Sequence, residues 1–177
     1  EVATMAGGVR SGPTQGEIGR LTTGVGLDPA TDGPAVACWE GRIAAVGPRA
    51  AVEKRFGARR TIDAAGSLVL PGFVNAHTHA PMTLLRGVRD DAELMTWLEK
   101  YMFPLEARLA RPGFVRWGAL LACWEMIASG TTTFVDMYYF ENDIAEVTAE
   151  AGLRAVLGQS VIMFPVADAP TPADALT

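Results

Sequence analysis

The chain has 177 residues, of which 49% are hydrophobic and 20% charged, and its formal net charge is -5. This composition is typical of a folded globular protein rather than a disordered one. Basic residues form no cluster and no apolar run reaches the roughly 18 to 20 residues of a membrane span, so we expect neither nucleic acid nor a membrane as partner.

The two cysteines, Cys38 and Cys123, lie far apart in the sequence. This spacing matches neither a disulfide framework nor a paired-cysteine metal site. We expect two buried thiols in a reducing compartment. No signal-peptide pattern is visible in the first residues, so a cytoplasmic protein is the expectation.

The first 70 residues fall into two parts. Residues 1–34 are rich in Gly, Thr, Pro and Asp without a sustained hydrophobic period, which predicts an extended arm with at most one edge strand. In residues 35–70, the run AVACWEGRIAAVG predicts a tight hairpin around Glu40 and Gly41. A short helix over 49–56 and a further strand are expected to complete a small β-rich unit.

From residue 71 onward, strands and helices alternate. SLVLPGFVNAHTHA predicts a strand buried on both faces, and two helical segments follow, of which RPGFVRWGALLACWEMIASG is the stronger. It carries apolar residues at helical spacing, namely Leu120, Leu121, Trp124 and Ile127. Next come the strand TTTFVDMYYF, a helix capped by Asn142 and the strand LRAVLGQSVIM. The alternation predicts a parallel sheet covered by helices, hence an α/β fold.

The last residues read PTPADALT, in which Thr171 is expected to cap a helix whose first residue is Pro172. The sequence stops inside this predicted helix. We therefore expect the chain to be a truncated piece of a longer protein.

The two histidines, His77 and His79, are separated by one residue at the end of a predicted strand. Residues two apart on a strand point to the same side, and the active sites of parallel sheets lie at the carboxyl ends of the strands. Neutral imidazole is a common zinc ligand, and a catalytic zinc usually has three protein ligands and a water. The pair predicts part of a metal site; a structural or solvent-exposed histidine pair is the alternative.

The stretch PGFVNAHTHAPMTLLRG resembles the first barrel strand of the amidohydrolase superfamily, whose H-x-H segment supplies the first two metal ligands. It is most similar to the branch that deaminates S-adenosylhomocysteine and 5'-methylthioadenosine and that also contains triazine chlorohydrolases. DDAELMTWLEKYMFPLEARL and EMIASGTTTFVDMYYF resemble the first crossover and second strand of that branch, while EGRIAAVG and IDAAGSLVLPG resemble its β-sandwich. The resemblance covers residues 35–160.

This resemblance implies a fold and an activity. After the arm at 1–34, residues 35–70 would be part of a small β-sandwich, and residues 71–177 would be the first three strand-helix units of a (β/α)8 TIM-type barrel. The activity would be that of a zinc-dependent hydrolase, a deaminase in which a metal-activated hydroxide displaces ammonia from an adenosine derivative. The branch takes its other ligands and its acid/base from later strands, so no catalytic residue is assigned within this chain, which is expected to be inactive alone.

The resemblance also assigns site residues. His77 and His79 would bind the metal, Trp97 would pack near the substrate, and Glu106 would accept hydrogen bonds from the ribose hydroxyls. The alternatives are that Trp97 is only a core residue and that Glu106 is a solvated helix charge. Gln159 stands where some nucleoside-deaminating members have a basic substrate contact, which leaves the specificity open.

Four other polar residues are interpreted from their positions. Asp136 ends the second barrel strand, where it would orient a ligand histidine or make a structural hydrogen bond. Arg86 and Arg89 are expected to pair with nearby aspartates, with a role on a substrate carboxylate as the alternative. Glu125 is expected to make a surface interaction of its helix.

Several alternatives stay open at the level of function. The same scaffold serves triazine chlorohydrolases and deaminases of guanine or other nucleobases, and the chain alone would be a non-catalytic N-terminal fragment. Histidine ligands also suit Fe²⁺, Ni²⁺ and other divalent metals. The expected partner is a small-molecule substrate, and the resemblance is compatible with a homo-oligomer.

Overall fold

The computed structural model describes residues 15–21, 33–64 and 67–176. The chain divides into two compact units between Gly72 and Phe73. The strands are β1 Gln15–Leu21, β2 Pro34–Trp39, β3 Arg42–Pro48, β4 Gly57–Ala64, β5 Phe73–Thr78, β6 Thr131–Tyr138 and β7 Arg154–Gln159. The α-helices are α1 Arg49–Arg55, α2 Leu94–Trp97, α3 Phe103–Leu109, α4 Pro112–Ala128 and α5 Glu141–Ala151. Two 3₁₀ helices span Ala80–Leu85 and Asp174–Leu176, and a π-helical turn, Leu98–Met102, joins α2 to α3.

The first unit is built on a four-stranded sheet with the strand order β3-β2-β1-β4. The predicted hairpin is confirmed: β2 and β3 are joined by Glu40 and Gly41, with φ of 49° and 72°. Positive φ at both positions is what a two-residue turn with the twist of a hairpin requires, and Gly41 adopts it without steric cost.

Strand β1 corrects the prediction for the arm. It pairs antiparallel with β2 and parallel with β4, so it is an interior strand of the sheet and not an edge strand. Main-chain hydrogen bonds to both neighbours stabilise a strand whatever the period of its side chains. QGEIGRL can therefore form an interior strand although its sequence shows no clear hydrophobic pattern. The rest of the predicted arm, 1–14 and 22–32, lies outside the described residues.

The second unit contains a three-stranded parallel sheet with the order β5-β6-β7. Helix α4 connects β5 to β6 through the preceding helical segment, and α5 connects β6 to β7. The predicted α/β class is confirmed. The register pairs Thr78 with Asp136 and Tyr138 with Gln159, so the carboxyl ends of the three strands lie side by side.

The buried face of helix α4 consists mainly of small side chains. Its buried residues are Val115, Gly118, Ala119, Ala122, Cys123 and Met126. The large apolar residues noted in the sequence point elsewhere: Trp124 is 66% exposed, and Trp117 beside it on the helix is 70% exposed. Gly118 lies directly against the backbone of Pro81 in the first 3₁₀ helix, and only small side chains fit such a close approach.

Two predicted helix ends are confirmed and one predicted start is wrong. Gly130 and Gly152 follow α4 and α5 with φ of 86° and 77°, the left-handed conformation of a C-terminal stop. Helix α5, however, is capped two residues before the predicted cap Asn142 and begins at Glu141. Phe140 caps it with φ of 57°, and its amide donates to Asp168 Oδ2 at 2.6 Å, a contact supplied by a distant segment.

Strand β5 is shorter and more exposed than predicted. It begins at Phe73, and Phe73 and Val74 are 48% and 64% exposed. Within the described residues β5 pairs only with β6, so one edge of the strand is open, and the predicted burial on both faces is not observed. At the other end of the unit, Thr171 and Asp174 form the reciprocal hydrogen bonds of the predicted cap, although only a 3₁₀ turn follows.

The cysteines form no disulfide; Cys123 is buried, as predicted, whereas Cys38 is only partly buried because it lies on β2 beside the turn of the hairpin. Burial raises the pKa of the Cys123 thiol, so it stays protonated. Across the parts of the chain that the structure describes, no helix is long and apolar enough to cross a membrane.

Candidate metal centre

His77 and His79 converge at the carboxyl end of β5. Their Nε2 atoms are 3.4 Å apart, and the two rings meet edge to face with centroids 5.2 Å apart. The i, i+2 spacing places both side chains on one side of the strand, as the sequence predicted. The two nitrogens therefore face a common point.

The tautomer of His79 follows from its other ring nitrogen. Nδ1 lies 2.6 Å from the carbonyl oxygen of Met137 on β6. A carbonyl only accepts hydrogen bonds, so Nδ1 carries the proton and donates it. In the neutral ring Nε2 is then an unprotonated electron-pair donor, and its direction is fixed by the hydrogen bond on the opposite side.

This geometry fits a divalent metal. With metal-nitrogen distances of about 2.0 to 2.1 Å and tetrahedral angles, two ligand nitrogens should stand about 3.3 to 3.4 Å apart, and the observed separation agrees with this value. The donor set is nevertheless incomplete. Among the described residues, no three His, Cys, Asp or Glu side chains are grouped so as to hold a metal ion.

Asp136 fixes the backbone on both sides of His79. Its Oδ1 accepts the amide proton of Ala80 at 2.7 Å and a short hydrogen bond from the hydroxyl of Thr78. Asp136 is 1% exposed, so these contacts replace water at its Oδ1, whereas its Oδ2 has no hydrogen-bond partner among the described residues. The sequence offered two interpretations for this residue; the observed contacts are structural hydrogen bonds to the neighbours of the histidine and not to its ring.

Glu106 lies on α3 and is buried, 6% exposed. Its Oε1 accepts a hydrogen bond from the hydroxyl of Tyr138 at 2.8 Å, and Tyr139 interacts with the same carboxylate. Burial raises the pKa of Glu106, while the hydrogen bond from Tyr138 and the nearby charge of His79 oppose the shift. The structure thus brings Glu106 into the neighbourhood of the histidine pair, and the alternative of a solvated surface charge is wrong.

Trp97 makes its described hydrogen bond away from Glu106 and the histidine pair. Its indole Nε1 donates to the carbonyl oxygen of Val88 at 3.1 Å, and this hydrogen bond connects α2 to the loop after the first 3₁₀ helix. Gln159 is close to another acidic group: its amide donates to Asp168 Oδ2 at 2.7 Å. The roles of Trp97 and Gln159 toward a substrate stay predictions.

Two arginines near the histidine strand are engaged in ion pairs. Arg86 forms a two-point contact with Glu125 on α4, with distances of 3.0 and 2.7 Å. The expectation of a neighbouring aspartate as its partner is wrong, because α4 packs directly on the 3₁₀ helix that precedes Arg86. Arg89 pairs with Asp91 at 3.5 Å, as expected.

Sequence reasoning missed Tyr138 and Asp168 as parts of this region. Alternation along β6 places Asp136 and Tyr138 on the same face, and this pattern could have drawn attention to the tyrosine. Its partner Glu106 is 32 residues away in a helix, and no local pattern links the two.

Most of the second unit matches a known protein family. The model of the family described as "Amidohydrolase family" matches residues 68–175, which include the histidine pair, Glu106 and Tyr138. A curated relative from Syntrophobacter fumaroxidans, named 5-methylthioadenosine/S-adenosylhomocysteine deaminase, is 54% identical over 142 residues. The match covers 78% of this chain and 32% of the relative, so the chain spans about a third of the length of the relatives it matches.

Solved structures share the fold. An adenosine deaminase from Xanthomonas campestris with bound zinc superimposes with a TM-score of 0.80 at 38% identity, covering 92% of this chain and 37% of that one. A triazine hydrolase from Arthrobacter aurescens gives a TM-score of 0.71 at 23% identity, covering 85% of this chain and 37% of that one. The second similarity concerns the fold alone.

Proposed function

Because this chain belongs to the amidohydrolase family, we propose that its complete gene product is a metal-dependent hydrolase that deaminates an adenosine derivative, S-adenosylhomocysteine or 5'-methylthioadenosine. The observation that carries the proposal is the 3.4 Å convergence of two imidazole nitrogens at the end of a parallel strand. The names of relatives about half identical to this chain support the substrate class.

The proposal includes the architecture around the site. Residues 71–177 would form the first three strand-helix units of a TIM-type barrel, preceded by part of a β-sandwich at 35–70 and an arm at 1–34. The carboxyl ends of barrel strands carry the active site in this fold, and that is where β5 presents its two histidines. The enzyme would act in the cytoplasm on a small molecule.

His77 and His79 would hold the metal, and zinc is our first choice because a structural neighbour contains it. When bound, the metal supplies the Lewis acidity that makes water a nucleophile near neutral pH. The chain's own residues provide the orientation. Asp136 fixes the loop after Thr78, and the carbonyl of Met137 keeps the Nδ1 proton of His79 directed away from the metal position.

Glu106 would bind the ribose. It is a buried carboxylate near His79, and carboxylate oxygens are strong acceptors for two adjacent hydroxyl groups. Trp97 would form an apolar wall for the substrate, as the resemblance implies.

The activity is tested by measuring ammonia release by the complete gene product supplied with zinc. Turnover of 5'-methylthioadenosine or S-adenosylhomocysteine is expected, with little or none of guanine or a chlorinated triazine. If only the triazine or guanine were turned over, the proposed substrate would be wrong and the enzyme would catalyse a different reaction on the same scaffold. If the metal-loaded protein hydrolysed none of these four compounds, the result would contradict a deaminase and favour a non-catalytic protein.

The role of Glu106 is tested separately by Glu106→Gln. Loss of a charged acceptor for two hydroxyls should lower kcat/KM for 5'-methylthioadenosine by about 10- to 100-fold. Glu99→Gln is the matched control, because Glu99 is an exposed carboxylate in the same helical segment. A Glu106→Gln enzyme as active as the control would show that this carboxylate does not bind the ribose.

A further inference from the structure

The hydroxyl of Tyr138 makes a single well-defined contact with the ribose-binding candidate. It donates to Glu106 Oε1 at 2.8 Å, in a region where both residues are buried, 3% and 6% exposed. A buried carboxylate without donors would be strongly destabilised, so this hydrogen bond is part of what allows Glu106 to lie there. It also fixes the position of one of the two carboxylate oxygens.

The polarity of this hydrogen bond is fixed. Burial and the adjacent carboxylate raise the pKa of Tyr138, so the phenol keeps its proton and remains a donor. The ring is held in turn by its position on β6 and by the ring of Tyr139, whose centroid is 4.8 Å away. Tyr138 is therefore a rigid donor and not a mobile side chain.

A carboxylate offers about four lone-pair positions; Tyr138 occupies one on Oε1, and the side chain of Tyr139 also interacts with this carboxylate. These contacts restrict the rotation of the carboxylate and leave acceptor positions for a ligand. Two neighbouring hydroxyls of a ribose need two acceptor positions at a defined spacing, and a carboxylate free to rotate would meet this need less often.

We propose that Tyr138 is a positioning residue for substrate recognition: by holding Oε1 of Glu106 it orients the carboxylate to accept the 2'- and 3'-hydroxyls of a ribose. The inference rests on the proposed function, since it deepens the role given there to Glu106. It assigns to Tyr138 a selectivity for substrates with a vicinal diol over substrates without one.

A purely structural tyrosine makes a different prediction. If the hydroxyl only satisfied a buried carboxylate, its removal would affect all substrates to the same extent. If it orients Glu106 for the diol, removal affects ribose substrates and spares analogues that lack both hydroxyls. The two roles are therefore separated by a ratio of two rates measured on one enzyme.

The experiment compares 5'-methylthioadenosine with its 2',3'-dideoxy analogue, using the zinc-loaded complete gene product and its Tyr138→Phe variant. We expect Tyr138→Phe to lower kcat/KM for the ribose substrate about tenfold, mainly through a higher KM, as for the loss of one hydrogen bond to a charged group. The dideoxy analogue should change by less than about twofold. Tyr101→Phe is the control: the ring of Tyr101 lies beneath the guanidinium of Arg89, so loss of its hydroxyl should change neither rate.

Each outcome decides the question. An equal loss for both substrates, or no loss for either, overturns the positioning role while leaving the deaminase activity established. A wild-type enzyme that does not turn over the ribose substrate refutes the proposed function and the inference with it. If Tyr138→Phe fails to fold, replacement of Tyr138 by 4-aminophenylalanine, which places an N–H donor where the hydroxyl was, should preserve the preference for the diol. A folded variant of this kind without that preference overturns the inference.

Discussion

At the scale of single residues, Glu141 is a buried carboxylate in an unfavourable environment. It lies in the first turn of α5, is 7% exposed, and neither of its oxygens has a hydrogen-bond partner among the described residues. Burial and the nearby carboxylates of Asp136 and Asp168 raise the pKa of Glu141 from its ordinary value of 4.5 to about 7. The folded protein therefore retains a proton on Glu141 that the unfolded chain releases.

The sign of the resulting pH dependence is set by this proton. Between pH 4.5 and 7 the folded state binds more protons than the unfolded state, so the free energy of unfolding should fall as pH rises and level off above pH 7. The full change amounts to about 3 kcal/mol. Glu141→Gln should remove this dependence and stabilise the protein at pH 8, as measured by chemical unfolding at several pH values. The exposed control Glu99→Gln should retain the wild-type profile, and a Glu141→Gln profile parallel to it would contradict the prediction.

Sequence reasoning correctly predicted the relative placement of residues where that placement depends on local spacing. His77 and His79 belong to this class because an i, i+2 pair on a strand necessarily shares a side. The contact between Glu106 and Tyr138 does not, since it joins a helix to a strand 32 residues later. Such a contact depends on how the elements pack, and a single sequence contains no pattern that specifies it.

At the scale of elements, the packing of α4 on the first 3₁₀ helix depends on the absence of a side chain. A Cβ atom added to Gly118 would lie 2.7 Å from Cα of Pro81 and closer still to its carbonyl oxygen. The obstructing atoms are backbone atoms, which cannot move aside as the end of a flexible side chain can. The close approach of these two elements positions the chain just after His79, where the 3₁₀ helix begins.

Gly118→Ala should therefore destabilise the protein by about 1 to 3 kcal/mol, although alanine favours a helix interior over glycine. Gly113→Ala is a matched control in the same helix, where an added Cβ would meet nothing within 4 Å. That variant should be neutral or more stable by up to about 1 kcal/mol. Thermal or chemical unfolding of the two variants in parallel measures the difference. Equal stability of the two would mean that α4 and the 3₁₀ helix can separate without cost.

Elements were predicted well where turn chemistry marks their ends. The Glu40-Gly41 hairpin and the glycine stops of α4 and α5 are such cases, since positive φ at these positions favours particular residues. The face that α4 buries was not evident, because the helix is apolar nearly all round and its large residues are the exposed ones. Hydrophobicity alone would bury tryptophan rather than alanine or glycine, whereas the close approach of α4 to Pro81 requires glycine at position 118.

At the scale of the whole molecule, two units are present and the second leaves apolar surface exposed. Val74 and Val156 on the sheet are each 64% exposed. Large apolar side chains on a sheet covered by other elements would be buried. A cavity of about 410 Å³ opens beside His79, lined by residues of β5, the first 3₁₀ helix, α4 and the start of β6. These exposures agree with the proposal that further barrel units complete the enzyme.

Metal binding should raise the stability of the complete gene product against unfolding. A metal that binds only the folded state adds stability, about 2.7 kcal/mol when its free concentration is 100 times Kd. Removal of the metal by a chelator should lower the thermal midpoint, and added zinc should restore it. His77→Ala and His79→Ala should lower the metal content and abolish the zinc-dependent rise. A full metal content in both variants would place the metal elsewhere and contradict the assignment of this pair.

The end of β6 carries three consecutive contacts: Asp136 holds the backbone around His79, the carbonyl of Met137 holds its ring, and Tyr138 holds Glu106. Deletion of one residue upstream in this strand would turn the side chains of Asp136 and Tyr138 to the opposite face and shift the carbonyl of Met137, so all three contacts would break together. A protein with such a deletion would have lost all three contacts at once, whereas a single substitution removes at most one of them. Over evolutionary time, the length of β6 should therefore drift more slowly than the identity of its outward-facing residues.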